Sequence, residues 1–414
     1  MSTMQRRDFL KTLGGASVAA GWMGGSLAAQ AGTVLVEPAA FGFADDRVPM
    51  NAANLCPMPA VVRDAVAAHA RELDRDMSHI VRGRIEQLKE KARSGLARQL
   101  GVSADEIAIV RNTSEANNIV VQGMPLTSDD EVLLWDQNHP SNGVAWDVQA
   151  KRAGCRVRRL AVPASVASAD ELVDLFVAAL RPQTRVVSFT HISNVSGTRL
   201  PAGEICRALR RKNEQLYIHV DGAQTWGIID VDLARLGCDS FSASAHKWFM
   251  GPREVGLLYV RQPQIERLWP NSVSVPWGED VDPAVAGARK FEAFGQRNDA
   301  AIAALHDAVM FHDSLTPAGI ERRAESLAQR LRDGLQDLGV SFISPLEAPL
   351  ASNVVILAAQ RETGSVLVER VLQESGIIVA AVGGLRLTPH IYNTEEHIDR
   401  AIAAIAKLRG LLAS

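Results

Sequence analysis

Two charged residues stand where apolar, strand-like runs end. Residues 216–220 lead straight into Asp221, and residues 239–245 lead into His246-Lys247. A carboxylate and an ammonium both lose solvation at the end of a buried strand, so each needs a partner or a shifted pKa. Either one alone reads as a polar turn residue. Together, with Gln224 just beyond Asp221, they suit a single ligand. Pyridoxal phosphate (PLP) takes a lysine covalently at its aldehyde carbon and an acidic group at its pyridine nitrogen.

A second place suits an anion. Arg111-Asn112-Thr113-Ser114-Glu115 lies between a strand-like run at 107–110 and a helix predicted from Ser114. Backbone amides at a helix N-terminus bind anions, and hydroxyls there add donors. The same residues also read as a capped helix start, with Thr113 or Ser114 as the N-cap. His139 follows the apolar run 132–135 in a loop, where a lone histidine is commonly structural or exposed. Asn194 precedes Gly197 in a polar stretch that also reads as a turn. Asn54, in the Asn- and Pro-rich stretch 51–59, is a substrate-side candidate with the same turn alternative.

These residues need a scaffold that brings strand ends together. A helix is predicted to begin near Pro59, and residues 80–100 carry apolar side chains at helical spacing up to Gly101. Strand-like runs at 107–110, 132–135, 157–162, 185–190 and 216–220 alternate with helical stretches from Ser114, at 143–153, 168–180 and 201–212. Alternation of this kind predicts a mostly parallel sheet with helices on both faces, an α/β fold. The last two runs, 240–243 and 255–260, have no helix between them and are expected to be antiparallel. In such sheets ligands sit beyond the carboxyl ends of the strands, where the residues singled out above fall. Beyond an extended loop at 269–287, helices are predicted at 298–315, 320–338, 366–374 and 395–411, with strands at 340–343, 353–357 and 377–380. That mixture implies a smaller α+β C-terminal domain. The expected division is an N-terminal segment at 32–75, a large domain at 76–290 and a small domain at 291–414.

The motifs, in this order, resemble the class V aminotransferase family of PLP enzymes, with its isopenicillin N epimerase-like and cysteine desulfurase-like members. His219-Val220-Asp221-Gly222-Ala223-Gln224 is similar to the family's H-V-D-G-A-Q, and Ser244-Ala245-His246-Lys247 to its S-x-H-K. The resemblance implies PLP fold type I, with Lys247 linked to the cofactor and Asp221 on the ring nitrogen. Thr113-Ser114-Glu115 resembles T-T/S-E-x-x-N, which implies a phosphate cradle of Thr113 and Ser114 completed by Ser244 and His246. His139 is implied to stack on the ring. Asn194, in a T-H-x-S-N-x-x-G match, and Gln224 are implied to lie near its phenolic oxygen. The segment 386–394 resembles R-x-S/T-x-x-x-Y-N-T, whose arginine binds the substrate carboxylate; that role falls to Arg386. Residues 291–299 resemble a segment that reaches the partner subunit's cofactor in a homodimer, with Gln296 where threonine is usual and Arg297 beside it. Desulfurase members carry a cysteine in the loop before that arginine. Residues 377–386 hold none, and Gly383-Gly384 resembles the epimerase-type branch.

Composition excludes several classes. At 47% hydrophobic and 22% charged, the 414-residue chain is that of an ordinary globular protein. A net charge of −3 favours neither nucleic acid nor an anionic membrane. No metal-ligand spacing appears among the four cysteines, Cys56, Cys155, Cys206 and Cys238, so no metal is expected. Residues 1–31 read as a signal peptide. Arg6-Arg7-Asp8-Phe9-Leu10-Lys11 resembles a twin-arginine motif, a Gly/Ala-rich apolar run follows, and Ala29-Gln30-Ala31 offers a cleavage site. The expectation is a periplasmic PLP enzyme, exported by the twin-arginine machinery and free of the membrane after cleavage. Lys247 is expected to take the Cα proton of an amino acid or a peptide-borne amine, giving transamination or epimerisation. A carbon–sulfur lyase is the alternative among enzymes, and a PLP-fold binding protein the alternative outside them.

Overall fold

Seven strands carry the candidate residues to one edge of a twisted sheet. They are β1 (Ile107–Val110), β2 (Glu131–Trp135), β3 (Arg156–Leu160), β4 (Thr184–Thr190), β5 (Tyr217–Asp221), β6 (Ser240–Ser244) and β7 (Gly256–Val260). Their spatial order is β1-β7-β6-β5-β4-β2-β3. Only β7 runs antiparallel to its neighbours, because the link from β6 is the loop 245–255 without a helix and every other link contains one. The computed structural model describes residues 36–163, 168–274, 286–359 and 361–412, so the predicted signal at 1–31 lies outside the described residues. Every residue of β1, β2, β5, β6 and β7 is buried. That is the pattern of a sheet covered by helices on both faces. At the carboxyl edge Asp221 pairs with Ser242, and β6 continues two residues further to Ser244 before turning into Lys247.

A smaller sheet follows, made of β8 (Val355–Leu357), β9 (Ala380–Ala381) and β10 (Leu385–Leu387) in the order β9-β10-β8, all antiparallel. Apolar residues of helices Pro317–Asp337, Arg361–Ser375 and Glu395–Leu408 close a second core over it, among them Leu327, Leu331, Leu367 and Ile398. The N-terminal segment is tied in here. Val48–Pro49 pairs in parallel with Ile377–Ile378, and Val48 and Met50 are in the same core.

Three expectations are corrected. The helix Asp299–Leu315, assigned by sequence to the small domain, packs against Ala60–Arg75 and His79–Leu100. Its Ile302, Leu305 and Val309 join the large core, and Gly95 makes room for it: a Cβ there would lie 2.5 Å from Val309 Cγ1. The expected strand at 340–343 is a loop with one bridge, Phe342 to Leu357, because Gly339 at φ 67° turns the chain just before it. The run 377–380 divides between two sheets, with Ile378 pairing to Pro49 and Ala380 to Arg386. Among the described residues no helix is long and apolar enough to cross a membrane.

Candidate active site

Asp221 closes β5 and is buried. Its Oδ1 accepts the Ala223 N–H at 3.0 Å, and its Oδ2 accepts from Asn117 Nδ2 at 2.9 Å. Asn117 lies one turn into the helix Thr113–Gly123. Its amide nitrogen donates to the carboxylate, so its Oδ1 can only accept, from Ser242 Oγ at 2.5 Å and His219 Nε2 at 2.9 Å. His219 therefore carries its hydrogen on Nε2, and its Nδ1 accepts from Ser240 Oγ at 2.8 Å. Burial pushes the His219 pKa down to about 4, against the charge of Asp221, so the ring is neutral. Gly222 is required at the turn, since a Cβ there would meet Phe241 Cζ at 1.8 Å.

The turn that presents Lys247 is held on three sides. The Cys56 N–H donates to His246 O at 2.9 Å. His390 Nε2 donates to Trp248 O at 2.7 Å, its Nδ1 being occupied by the Ile391 N–H. Trp248 Nε1 donates to Gln224 Oε1 at 2.6 Å. The Lys247 side-chain amine makes no hydrogen bond or ion pair among the described residues. Burial lowers its pKa below 10.5; the Asp221 charge opposes that shift and the Arg386 charge adds to it.

At the helix start Asn112, not Thr113 or Ser114, is the N-cap, accepting the Glu115 N–H at 3.0 Å. Thr113 is buried, and its N–H and Oγ1 meet Ser244 Oγ at 2.7 and 2.6 Å. Ser114 is exposed, and its N–H and hydroxyl have no partner among the described residues. Gly256 lets this loop sit on the sheet: a Cβ there would lie 2.9 Å from Asn112 Cα. His246 adds an imidazole whose pKa falls to about 4 through burial and the neighbouring Lys247 and Arg253 charges.

Arg386, on β10, is 3% exposed. Nη1 donates to Asn194 O at 3.2 Å, Nη2 to Asn51 Oδ1 at 3.3 Å, and Nε has no partner. Neither acceptor is charged, and burial lowers its pKa to about 10. His139 caps the helix Pro140–Ala153, its Nδ1 accepting the Ser141 N–H at 3.2 Å, which leaves the hydrogen on Nε2. Burial lowers the His139 pKa, followed by the charges of Lys247 and Arg386, with Asp221 opposing. The charges of Lys247, Asp221 and Arg386 all act on His139, and those of Asp221 and Arg386 act on Lys247; these four residues define the mouth of the site.

Three of the expected residues are used differently. The Gln224 amide braces the lysine turn, donating to Ala53 O at 3.0 Å while accepting from Trp248. Asn54 is exposed, and Asn51, three residues earlier, holds Arg386 instead. Arg297 donates to Ile109 O at 2.5 Å and opens with Gln296 onto a separate cleft of about 700 Å³. The charges acting on it are Glu292, Glu115, Arg111 and Asp299, not Lys247 or Asp221. Sequence reasoning missed Asn117, His219, Asn51 and His390. For His219 a signal existed, since two positions before Asp221 it shares that residue's face of the strand.

The residues present fit PLP. Ser114 offers an open N–H and hydroxyl at a helix N-terminus for a phosphate, Asp221 a hydrogen-bonded carboxylate for a pyridinium, and Lys247 an unpaired amine for the aldehyde carbon. Known proteins agree. Isopenicillin N epimerase of Streptomyces clavuligerus is 29% identical over 380 residues, 88% of this chain and 95% of its own. A probable cysteine desulfurase of Xylella fastidiosa is 27% identical over 383 residues, 87% of this chain and 90% of its own. A lysine-to-alanine mutant of C-DES with glycine covalently linked to its PLP cofactor superposes with TM-score 0.82 at 26% identity, covering 89% of this chain and 99% of that one. C-DES, a cystine C–S lyase, also aligns in complex with its product cysteine persulfide, with TM-score 0.81 at 26% identity, covering 87% of this chain and 98% of that one. The pattern described as aminotransferase class-V matches residues 58–401, and the chain belongs to that family of PLP-dependent enzymes.

Proposed function

We propose that Lys247 takes the Cα proton of an α-amino acid, and that a proton delivered to the opposite face of Cα gives epimerisation, whereas one delivered away from Cα, with a keto acid acceptor for the amino group, gives transamination. The observation that carries the reading is Arg386, a buried guanidinium with neutral partners only and one unpaired N–H. A buried charge without a counterion is costly, and a substrate carboxylate is the partner its fork fits. PLP bound at Lys247 supplies an electron sink for the carbanion that deprotonation leaves. Thr113, Ser114, Ser244 and His246 would hold its phosphate, and Asp221, kept in place by Asn117, would hold its ring nitrogen protonated. Lys247, held by Cys56, His390 and Gln224 through its neighbours, moves the proton at Cα. His139, neutral and bearing its hydrogen on Nε2, would cover the ring and Asn194 would lie on its phenolic side, while Gln224 braces the lysine turn.

Similarity to isopenicillin N epimerases supports the epimerase branch. The cysteines support it too, because all four are buried free thiols. Burial pushes Cys56 and Cys206 up to about 12, and Cys155 and Cys238 upward as well, so no thiolate is poised to take sulfur. A carbon–sulfur lyase, which C-DES favours, needs no enzyme thiol and is the second reading. Holoenzyme incubated with single amino acids, with and without a keto acid, separates these outcomes. Inverted Cα, keto acid product or released thiol and persulfide identifies the reaction. Unchanged amino acids and an unchanged cofactor spectrum would refute the enzyme reading in favour of a binding protein.

Export by the twin-arginine route to the periplasm is part of the same proposal, supported by Arg6-Arg7 and Ala29-Gln30-Ala31. Replacing both arginines by lysine should leave the protein in the cytoplasm; unchanged periplasmic enzyme would refute it. A homodimer is expected to cover the cleft at Arg297, and light scattering showing a single chain mass would contradict that.

A further inference from the structure

We infer that an interdomain cleft beside the mouth is a subsite for the substrate's side chain, and that this side chain is long, uncharged and largely apolar. The inference rests on Arg386 holding the α-carboxylate, which leaves the side chain as the part that must be housed elsewhere.

The cleft measures about 950 Å³, within the usual size of a ligand pocket. One wall comes from the large domain through Trp135, Gln137 and Ser196, the other from the loop 340–350 of the small domain through Ile343 and Leu346. Three links join it to the mouth. Gln137 stands two residues before His139. Ser196 stands two residues after Asn194, whose carbonyl holds Arg386. The cleft residue Ser344 accepts the N–H of Ile356 at 3.0 Å, and Ile356 is the cross-strand partner of Arg386. Two residues of chain span at most about 7 Å, so Gln137 and Ser196 stand no further than that from His139 and Asn194 along the backbone. The walls are pinned together at Gly197, where a Cβ would lie 2.2 Å from Val354 O and 2.9 Å from Ser344 Cβ.

The lining sets the chemistry. Among its described lining residues the one ionisable side chain is Glu347, which is exposed. A charged side chain would lose solvation there without gaining an inner counterion. Most of the lining residues are apolar, interleaved with polar ones that include a hydroxyl–amide pair, Ser196 Oγ to Gln137 Oε1 at 2.6 Å, that can serve an amide. The buried Trp135 Nε1–H in the wall has no acceptor. A free short amino acid would leave all of this unused.

Three racemic probes share the α-amine and carboxylate: alanine, lysine and Nε-benzoyl-lysine. With holoenzyme, exchange of the Cα hydrogen in deuterated water and the cofactor's visible spectrum report engagement. Benzoyl-lysine should exceed both others in kcat/KM by at least about tenfold, the effect of burying one apolar ring. The double variant Ile343→Trp/Leu346→Trp, at positions on the open side of the cleft, should abolish that advantage while alanine stays within about twofold. Benzoyl-lysine no better than lysine, or all three probes slowed alike by the variant, would overturn the subsite while leaving the carboxylate reading intact. Exchange with none of the three would overturn the carboxylate reading and the subsite with it.

Discussion

Replacing Arg386 with methionine separates a ligand-binding charge from a structural one, because the two roles predict opposite signs. In the free protein the guanidinium is 3% exposed and meets only the Asn194 carbonyl and the Asn51 side chain. Its pKa falls from 12.5 to about 10, which amounts to about 3 kcal/mol against the charged form. Methionine relieves that cost and gives up two hydrogen bonds of about 1 kcal/mol each. The unfolding free energy of the apoprotein should therefore stay within about 1 kcal/mol of wild type, as with other buried charges replaced by apolar groups. Binding moves the other way. A substrate carboxylate buried without its partner loses roughly 3–4 kcal/mol, a factor of about 100–1000 in kcat/KM. Ethylamine, which lacks the carboxylate, should perturb the cofactor spectrum in the variant within about threefold of wild type. Arg386→Lys should fall between, since an ammonium keeps the charge but not the planar fork. Urea unfolding and spectral titration suffice. A variant destabilised by more than about 2 kcal/mol, with alanine and ethylamine weakened alike, would show that Arg386 is a structural brace.

Two further outcomes follow from the same geometry. Lys247 must be neutral to bond the cofactor, and its pKa is lowered below 10.5, so capture of PLP by apoprotein should rise with pH to a midpoint below 10.5. Asp221→Asn removes the one charge that raises that pKa and should move the midpoint lower still; an upward move would contradict the placement of Asp221 beside Lys247. Asn117→Leu leaves Asp221 Oδ2, the His219 Nε2–H and the Ser242 hydroxyl without their shared partner. It should cost about 2–4 kcal/mol in urea unfolding and weaken PLP binding, and a loss under about 0.5 kcal/mol would refute the relay.

What the sequence makes legible is charge out of place. Asp221 and Lys247 stand out because apolar strands run into them, and the strand–helix alternation places both at the same sheet edge. Asn117 and His219 leave no such mark. Each is a polar residue inside an otherwise apolar element, and their bond joins positions 102 residues apart. The choice of Asn51 over Asn54 rests on a turn closed by the Asn54 N–H to Asn51 O and on the bridge from Asn51 to Thr388, neither of which composition encodes. Periodicity likewise shows that 299–315 is a buried helix but not which core it joins; the space opened at Gly95 settles that. The run 340–343 looks like a strand because Val340, Phe342 and Ile343 are hydrophobic, whereas those three side chains line a cleft.

Four groups able to carry positive charge, Lys247, Arg386, His139 and His246, have pKa values below their ordinary ranges, with burial the first cause in each. A helix N-terminus beside Ser114 adds further positive potential. Asp221 is the one carboxylate among the charges that act on Lys247, and its oxygens are already hydrogen-bonded. The free site is thus short of negative charge in two places, the helix start and Arg386. A phosphate at the first and a carboxylate at the second fill both, and each raises the pKa of the cations around it. Lys247 is consequently most readily neutral before the anions arrive, when it must bond the cofactor. It holds a proton more readily once they are bound, when in the proposed reaction it takes one from Cα. The order of binding sets the basicity that the chemistry requires.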